Sequence, residues 1–306
     1  MTRQQLLPQG ILLLTLLIII AGCGSDQGQQ TGDAAPDSLQ QVSDRLTVIE
    51  EGLAGPEAIR YDSDQNVYFI SNFNGAGGEA DSNGFIAKAL HDGTIDSLKF
   101  MTGTEEAPLH APRGMYISGD SLFVADLEGV HVFNKRTGEQ LMFADFMDFE
   151  PGFLNDVAVG PDGAVYITDT GQARVYQMNG SDLSIAIDSL EDPANGITLD
   201  EDNSQLILAP WGGGQTFRAF TPDNTTPQDF ITINSGGNFD GIEPHSGSFL
   251  VSSQQDSSIY IIGENGESEA IIKTAPAPAD IAVDIKRNRV AVPYIDLNRV
   301  DIWEIK

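Results

Sequence analysis

Six positions carry the side chains best suited to do chemistry: Glu57, Arg113, Asn155, Asn195, Asp240 and Asp280. They follow one another at intervals of 56, 42, 40, 45 and 40 residues, and each stands just ahead of a short apolar run. Carboxylate and amide oxygens are hard ligands. Several of them around one point suit Ca²⁺, or another divalent cation, better than Zn²⁺, which prefers His and Cys. Glu57, Asp240 and Asp280 carry three negative charges and Arg113 one positive, a sum of −2 that a divalent cation would neutralise. Residues so far apart can meet only if the chain repeats one structural unit between them.

The flanking sequences do repeat. PEAIRYDSDQNVYFIS from Pro56, LNDVAVGPDGAVYITD from Leu154, ANGITLDEDNSQLILA from Ala194 and FDGIEPHSGSFLVSS from Phe239 share one plan. So do PRGMYISGDSLFVAD from Pro112 and ADIAVDIKRNRVAVPY from Ala279. Each reads as a strand, a polar or Gly-bearing turn and a second strand. A third strand usually follows, as in GFIAKAL and ARVYQMN, and then a weaker fourth, as in SIAIDSL and EAIIKTA. Four strands in a unit of this length signify a propeller blade. The fold expected over residues 45–306 is therefore an all-β, six-bladed β-propeller; a sandwich or barrel gives no reason for six matched units. The last unit stops at Lys306 after three strands, leaving an unpaired edge. Residues 45–49 (RLTVI) precede the first unit and have no other blade to join, so they are expected to close the ring in the last blade. The first strand of a blade lines the central channel, which aims all six polar anchors at the channel mouth.

Composition limits the partners. Arg3, the apolar run from Ile11 to Ile20 and the small residues after it form a leader, residues 1–22, too short to span a bilayer well. Ile20-Ala21-Gly22-Cys23 resembles the lipobox of bacterial lipoproteins, which implies cleavage before Cys23 and lipidation of its thiol. Cys23 is the single cysteine, so no intramolecular disulfide forms. Residues 23–44 hold hardly an apolar side chain and read as a flexible tether. The expected location is the bacterial cell envelope, on the outer membrane, with Gly24 rather than Asp after the lipidated residue. The formal charge is −29, or −30 without the leader and its Arg3. Such a surface repels nucleic acid.

At its anchors the chain resembles the SMP-30/gluconolactonase family of six-bladed calcium propellers, with paraoxonase and diisopropylfluorophosphatase as more distant relatives. The resemblance spans about residues 45–306 and rests on GPEAI around Glu57, LNDVAVGPDG around Asn155, PANGITLDEDN around Asn195 and FDGI around Asp240. It implies that Glu57, Asn155, Asn195 and Asp240 hold a catalytic Ca²⁺, that lactones or other esters are hydrolysed, and that Asp240 also serves as general base. The paraoxonase-like and diisopropylfluorophosphatase-like enzymes use a His at the second or near the sixth anchor, where this chain has Arg113 and Asp280. Their His-dependent mechanisms do not carry over. Blade one reads Gly55-Pro56-Glu57, an order closer to the paraoxonase side. The residue matching Asp156 helps hold a second, structural Ca²⁺ in those relatives; here Ala58 stands at the blade-one partner position, so that site is expected to be absent or altered.

Arg113 admits two roles, a clamp for a substrate carboxylate or oxyanion, or an ion pair across the channel with Asp280 or Glu57. Residues 71–83 (SNFNGAGGEADSN) form the longest loop on the anchor face and could act as a lid; with Asp280, Asn72 and the rim residue Trp211 are candidate substrate contacts. His110 is the one histidine near the mouth, a candidate for proton transfer. Gly212-Gly213-Gly214 lacks the strand–glycine–helix setting of a phosphate-binding loop. Two functions compete: a Ca²⁺-dependent lactonase or esterase, and a non-catalytic propeller that binds a peptide, glycan or protein at its acidic mouth.

Overall fold

A strand covered on both faces reads as a nearly continuous apolar run, whereas a solvent-facing strand alternates. The second strand of blade one, Val67–Asn72, is buried throughout, while the outermost strand of blade three, Asp182–Ile187, is largely exposed or half-buried up to the buried Ile187. In the computed structural model, which describes residues 43–263 and 265–306, these strands form six four-stranded antiparallel sheets. The chain is a six-bladed β-propeller, as the repeat predicts. Residues 1–42, with the leader, Cys23 and most of the tether, lie outside the described residues.

Five blades are built from four consecutive strands each; the sixth takes three from the C-terminus and one from the N-terminus. The closing strand, Asp44–Ile49, begins one residue before its expected start and pairs antiparallel with Arg299–Glu304, from Asp44 opposite Glu304 to Ile49 opposite Val300. The closing strand covers the edge that Arg299–Glu304 would otherwise present.

The apolar interior is divided into six layers, each between two neighbouring blades. Ile59, Tyr68, Ile70 and Phe85 of blade one meet Ala282, Ala291, Val300 and Ile302 of blade six. The opposite face of blade one supplies Val67, Phe69 and Ile86 to Met115, Leu122 and Val124 of blade two. Since alternate residues of one strand feed two different layers, a one-residue slip would empty both. This double demand holds the register of the inner strands, and with it the height of the anchor residues in the channel.

Candidate functional site

Each anchor is placed by a local irregularity. Pairing between the first and second strands gains one extra residue between Pro56 and Ile59, Leu154 and Val157, Ala194 and Ile197, and Phe239 and Ile242. Such a bulge turns a residue out of the ladder. The four blades that carry it are those of Glu57, Asn155, Asn195 and Asp240, the expected metal set. In three of them a hydroxyl of the second strand accepts the amide freed after the anchor: Ser71 takes Ala58 N–H at 2.8 Å, Thr168 takes Asp156 N–H at 3.0 Å and Ser252 takes Gly241 N–H at 2.9 Å. Arg113 and Asp280 instead lie just before the short inner strands Met115–Ser118 and Ala282–Asp284.

The anchors meet backbone to backbone around the ring. Asp280 N–H donates to Glu57 O at 3.0 Å, and Gly114 N–H donates to Asn155 O at 2.9 Å. Thr168 Oγ1 donates to Asn195 O at 2.6 Å, and Thr170 Oγ1 to Ala194 O at 2.8 Å. Contact is so close that a Cβ on Gly196 would lie 2.2 Å from Asp240 O, and one on Gly114 would lie 2.6 Å from Asp156 Cα. The glycine that follows an anchor thus marks a crossing of two blades.

All six anchors are buried, none exposing more than 4% of its surface. Burial drives the carboxyls of Glu57 and Asp240 well above their ordinary range; Asp240 and Asp280 add to the shift on Glu57, and Asp280 adds to that on Asp240. These acids therefore lie near enough to repel one another, a repulsion that a proton or a cation between them would relieve. Gln254 donates to Asp240 Oδ2 at 2.6 Å, and the Asn195 amide bonds to the same carboxylate. Asp240 Oδ1 and Glu57 Oε2 are buried without a hydrogen-bond partner among the described residues. Asn155 Nδ2 donates to Thr170 Oγ1 at 3.1 Å, which leaves its carbonyl oxygen available as an acceptor or ligand. Among the described residues no three His, Cys, Asp or Glu side chains form a metal-binding group by themselves. The candidate set is of another composition, two carboxylates and two amides, and its orphaned oxygens fit a hard cation.

Arg60, which the sequence reading passed over, controls the next level of the channel. It sits three residues beyond Glu57, and the same offset from the other anchors gives Tyr116, Ala158, Thr198, Glu243 and Val283. Its guanidinium pairs with Asp280 at 2.9 Å, Asp156 at 3.3 Å and Glu243 at 3.4 Å, and donates to the carbonyls of Ile59 at 2.9 Å and Ile281 at 2.8 Å. Burial acts to lower the Arg60 pKa, but Asp280, Glu243 and Asp156 together raise it. Asp156, whose other bonds come from Ile197 N–H at 2.9 Å and Val157 N–H at 2.8 Å, thus faces a guanidinium. Burial raises the Glu243 carboxyl to about 7, with Arg60 pulling against it. Below this level, at the opposite end of the channel, a cavity of about 390 Å³ is lined by Tyr116, Glu243, His245 and Phe249.

With Asp280 held by Arg60, the ion pair expected for Arg113 across the channel does not form. Arg113 is fully buried and sits 3.9 Å from the ring centre of Phe153 and 5.6 Å from that of Phe73. Its Nη2 donates to the carbonyl of Gly77 in the loop after blade one's second strand, while Nε and Nη1 have no partner. Burial lowers the Arg113 pKa, and the nearby charges of Glu57 and Asp126 oppose that shift. The loop is fastened at its far end, where Ser82 N–H donates to His110 Nδ1 at 3.0 Å and Gly84 N–H to Leu109 O at 3.1 Å. His110 is therefore a fastening point of the loop, with Nε2 3.7 Å from Glu128.

Two candidate contacts are placed differently from the anchors. Asn72 is fully buried in its strand, where Oδ1 accepts from Ala54 N–H at 2.9 Å and Nδ2 donates to Ile70 O at 2.9 Å. Both ends of the amide serve the backbone of blade one, which corrects its expected role as a substrate contact. Trp211 is half-buried in the rim loop of blade four, its backbone N–H on Pro193 O at 2.8 Å.

Neither a protein-family model nor a curated protein matches the chain. Solved structures do. A gluconolactonase of Xanthomonas campestris superposes with a TM-score of 0.64 at 17% identity, covering 86% of this chain and 91% of its own. Virginiamycin B lyase of Staphylococcus aureus superposes with a TM-score of 0.58 at 13% identity, covering 85% of this chain and 99% of its own. A streptogramin B lyase gives a TM-score of 0.62 at 11% identity, covering 86% of this chain and 97% of its own. At these identities the likeness is one of fold, a propeller that also carries a lactonase and lyases.

Proposed function

We propose that this protein is a Ca²⁺-dependent hydrolase of lactones or other carboxylic esters, with its active site at the anchor end of the channel. One observation carries the reading. Glu57 Oε2 and Asp240 Oδ1 are buried without partners in a mutually repelling set of acids, beside the amides of Asn155 and Asn195. Glu57, Asn155, Asn195 and Asp240 would hold the ion. A divalent cation bound there supplies Lewis-acid polarisation of an ester carbonyl. Gln254 holds Asp240 Oδ2 and Asn195 bonds to the same carboxylate, and Asp240 would take a proton from a water beside the ion. Arg113 supplies positive charge for a substrate carboxylate or for the oxyanion formed on attack. Asp280, held by Arg60, contributes negative charge to the ring of anchors.

Calorimetry and thermal shift with and without chelator test the metal. Ca²⁺ stabilises the wild type, and Asn195→Ala and Asp240→Ala respond far less; a wild type indifferent to Ca²⁺, Mg²⁺ and Mn²⁺ overturns the site. A panel of aldonolactones and aryl esters tests the chemistry. Calcium binding with no turnover on that panel would favour a non-catalytic propeller that binds a peptide, glycan or protein at the same mouth.

We also propose that the chain is lipid-anchored in the bacterial envelope through Cys23, on the strength of the lipobox-like Ile20-Ala21-Gly22-Cys23. Metabolic labelling with a fatty acid, lost in Cys23→Ala, tests this.

A further inference from the structure

A carboxylate grips a guanidinium most firmly through two parallel N–H bonds. Only two edges of the guanidinium allow this, one formed by Nε and Nη2 and the other by Nη1 and Nη2. Nη2 contributes one of its two N–H groups to each edge. In Arg113 that is the nitrogen held by the Gly77 carbonyl, while Nε and Nη1 are buried and unpaired. One backbone carbonyl thus occupies one edge of the fork, while the remaining N–H groups of Nε and Nη1 stay buried without a hydrogen-bond partner among the described residues.

The surroundings are those of an anion site rather than a structural pair. No carboxylate forms an ion pair with Arg113 among the described residues, although Glu57 and Asp126 lie near enough to act on it electrostatically. The rings of Phe153 and Phe73 flank the guanidinium as apolar faces. The segment that covers it is exposed over residues 78–82, carries the unobstructed Gly78, and is fastened to the body by Ser82 on His110. A Cβ on Gly77 would lie 2.8 Å from the Phe73 ring, so only glycine brings its carbonyl onto Arg113 this closely.

We propose that residues 74–83 form a lid whose Gly77 carbonyl occupies a carboxylate-binding site on Arg113, and that the substrates are esters or lactones bearing a carboxylate of their own. This rests on the hydrolase reading for the word substrate, but not for the site. An incoming carboxylate takes both N–H groups of the edge that Gly77 occupies, Gly77 is released, and the lid lifts from the channel mouth. A neutral ester makes no such exchange and meets a closed lid.

Binding of 4-hydroxybutanoate tests the site, with 1,4-butanediol as its neutral counterpart, measured by calorimetry on the full chain in Ca²⁺ and in chelator. The carboxylate binds in both conditions, the diol in neither. Arg113→Lys, which keeps the charge but loses the fork, weakens binding at least tenfold, and Arg113→Gln abolishes it. Deleting residues 76–79 removes the competing carbonyl and tightens binding about tenfold, a gain that misfolding cannot produce. Amide exchange at Ser82 and Gly84 accelerates in the wild type when the carboxylate is added. Binding that survives Arg113→Gln, or that the lid deletion leaves unchanged, overturns the proposal. If binding also vanishes in chelator, the carboxylate sits on the metal and the calcium reading stands without this one. Arg113-dependent binding in a protein indifferent to Ca²⁺ reverses that outcome.

Discussion

Replacing Arg60 by Met tests whether a resident guanidinium holds the middle of the channel together. The substitution fills similar volume but removes three ion pairs, at 2.9, 3.3 and 3.4 Å, and two donations to backbone carbonyls, at 2.9 and 2.8 Å. Breaking a buried pair by removing one partner costs about 3–5 kcal/mol, and each buried acceptor left unmet costs about 1 kcal/mol at the low end. The expected loss at pH 8 is therefore about 5 kcal/mol, a large part of the ~5–15 kcal/mol that stabilises a typical domain. At pH 5 the loss is smaller. Glu243, already raised to about 7, then carries its proton, so less unpaired negative charge remains in the channel. Equilibrium urea unfolding in chelator at the two pH values, followed by tryptophan fluorescence, reads both numbers. Combining Arg60→Met with Glu243→Gln recovers at least ~1 kcal/mol at pH 8, since one of the stranded charges is gone. A loss under ~1 kcal/mol, or an equal loss at both pH values, would refute the assignment of Arg60 as the counter-charge of Asp280, Asp156 and Glu243.

Three further outcomes follow from the same geometry. Glu243 has a folded-state pKa of about 7 against an ordinary 4.5, so it favours the folded state at low pH. That contribution is lost as pH rises through about 7, and Glu243→Gln should flatten the fall in unfolding free energy between pH 5 and pH 8 by about 2–3 kcal/mol. Thr168→Val leaves Asp156 N–H and Asn195 O without the hydroxyl they share, at 3.0 and 2.6 Å, and should cost about 1–3 kcal/mol in urea unfolding. Gly196→Ala drives a methyl group to 2.2 Å from Asp240 O. It should destabilise by about 1–3 kcal/mol or more and weaken Ca²⁺ binding in calorimetry, whereas Gly180→Ala, at an open turn, should leave metal binding unchanged.

The blade count, the ring closure and the six anchors were legible because they repeat: a turn between two apolar runs recurs about every forty residues, and the polar residue ahead of it recurs too. The bulges were not foreseen; their trace in the sequence is a Ser or Thr one residue before the end of the second strand, as in Ile70-Ser71, Ile167-Thr168 and Val251-Ser252. Arg60 was missed for a physical reason. It lies inside an alternating run, Ile59-Arg60-Tyr61-Asp62, where a basic residue ordinarily faces solvent, and only its offset from Glu57 marks it as a channel residue. Comparing the six positions three beyond the anchors would have exposed one arginine and one glutamate among smaller or apolar residues. The neighbours of Arg113 were not readable. Phe73, Gly77 and Phe153 lie outside the strands, in segments around the mouth, and no periodicity relates such segments to an anchor in another blade.

The seam between Asp44–Ile49 and Arg299–Glu304 also governs the order in which the protein can be completed. Each of the first five blades pairs strands adjacent in the chain, so it can assemble as its own segment leaves the ribosome. The seam joins residues 256 apart, as in the pair Arg45 and Asp301. Until Arg299–Glu304 has been made, Asp44–Ile49 has no partner and blade six is unfinished. A stalled or clipped chain lacking Arg299–Glu304 therefore exposes two edges at once, that of Asp44–Ile49 and that of Arg289–Tyr294. Such chains carry two open edges that can pair with each other, so loss of this one strand turns a closed blade into a template for aggregation.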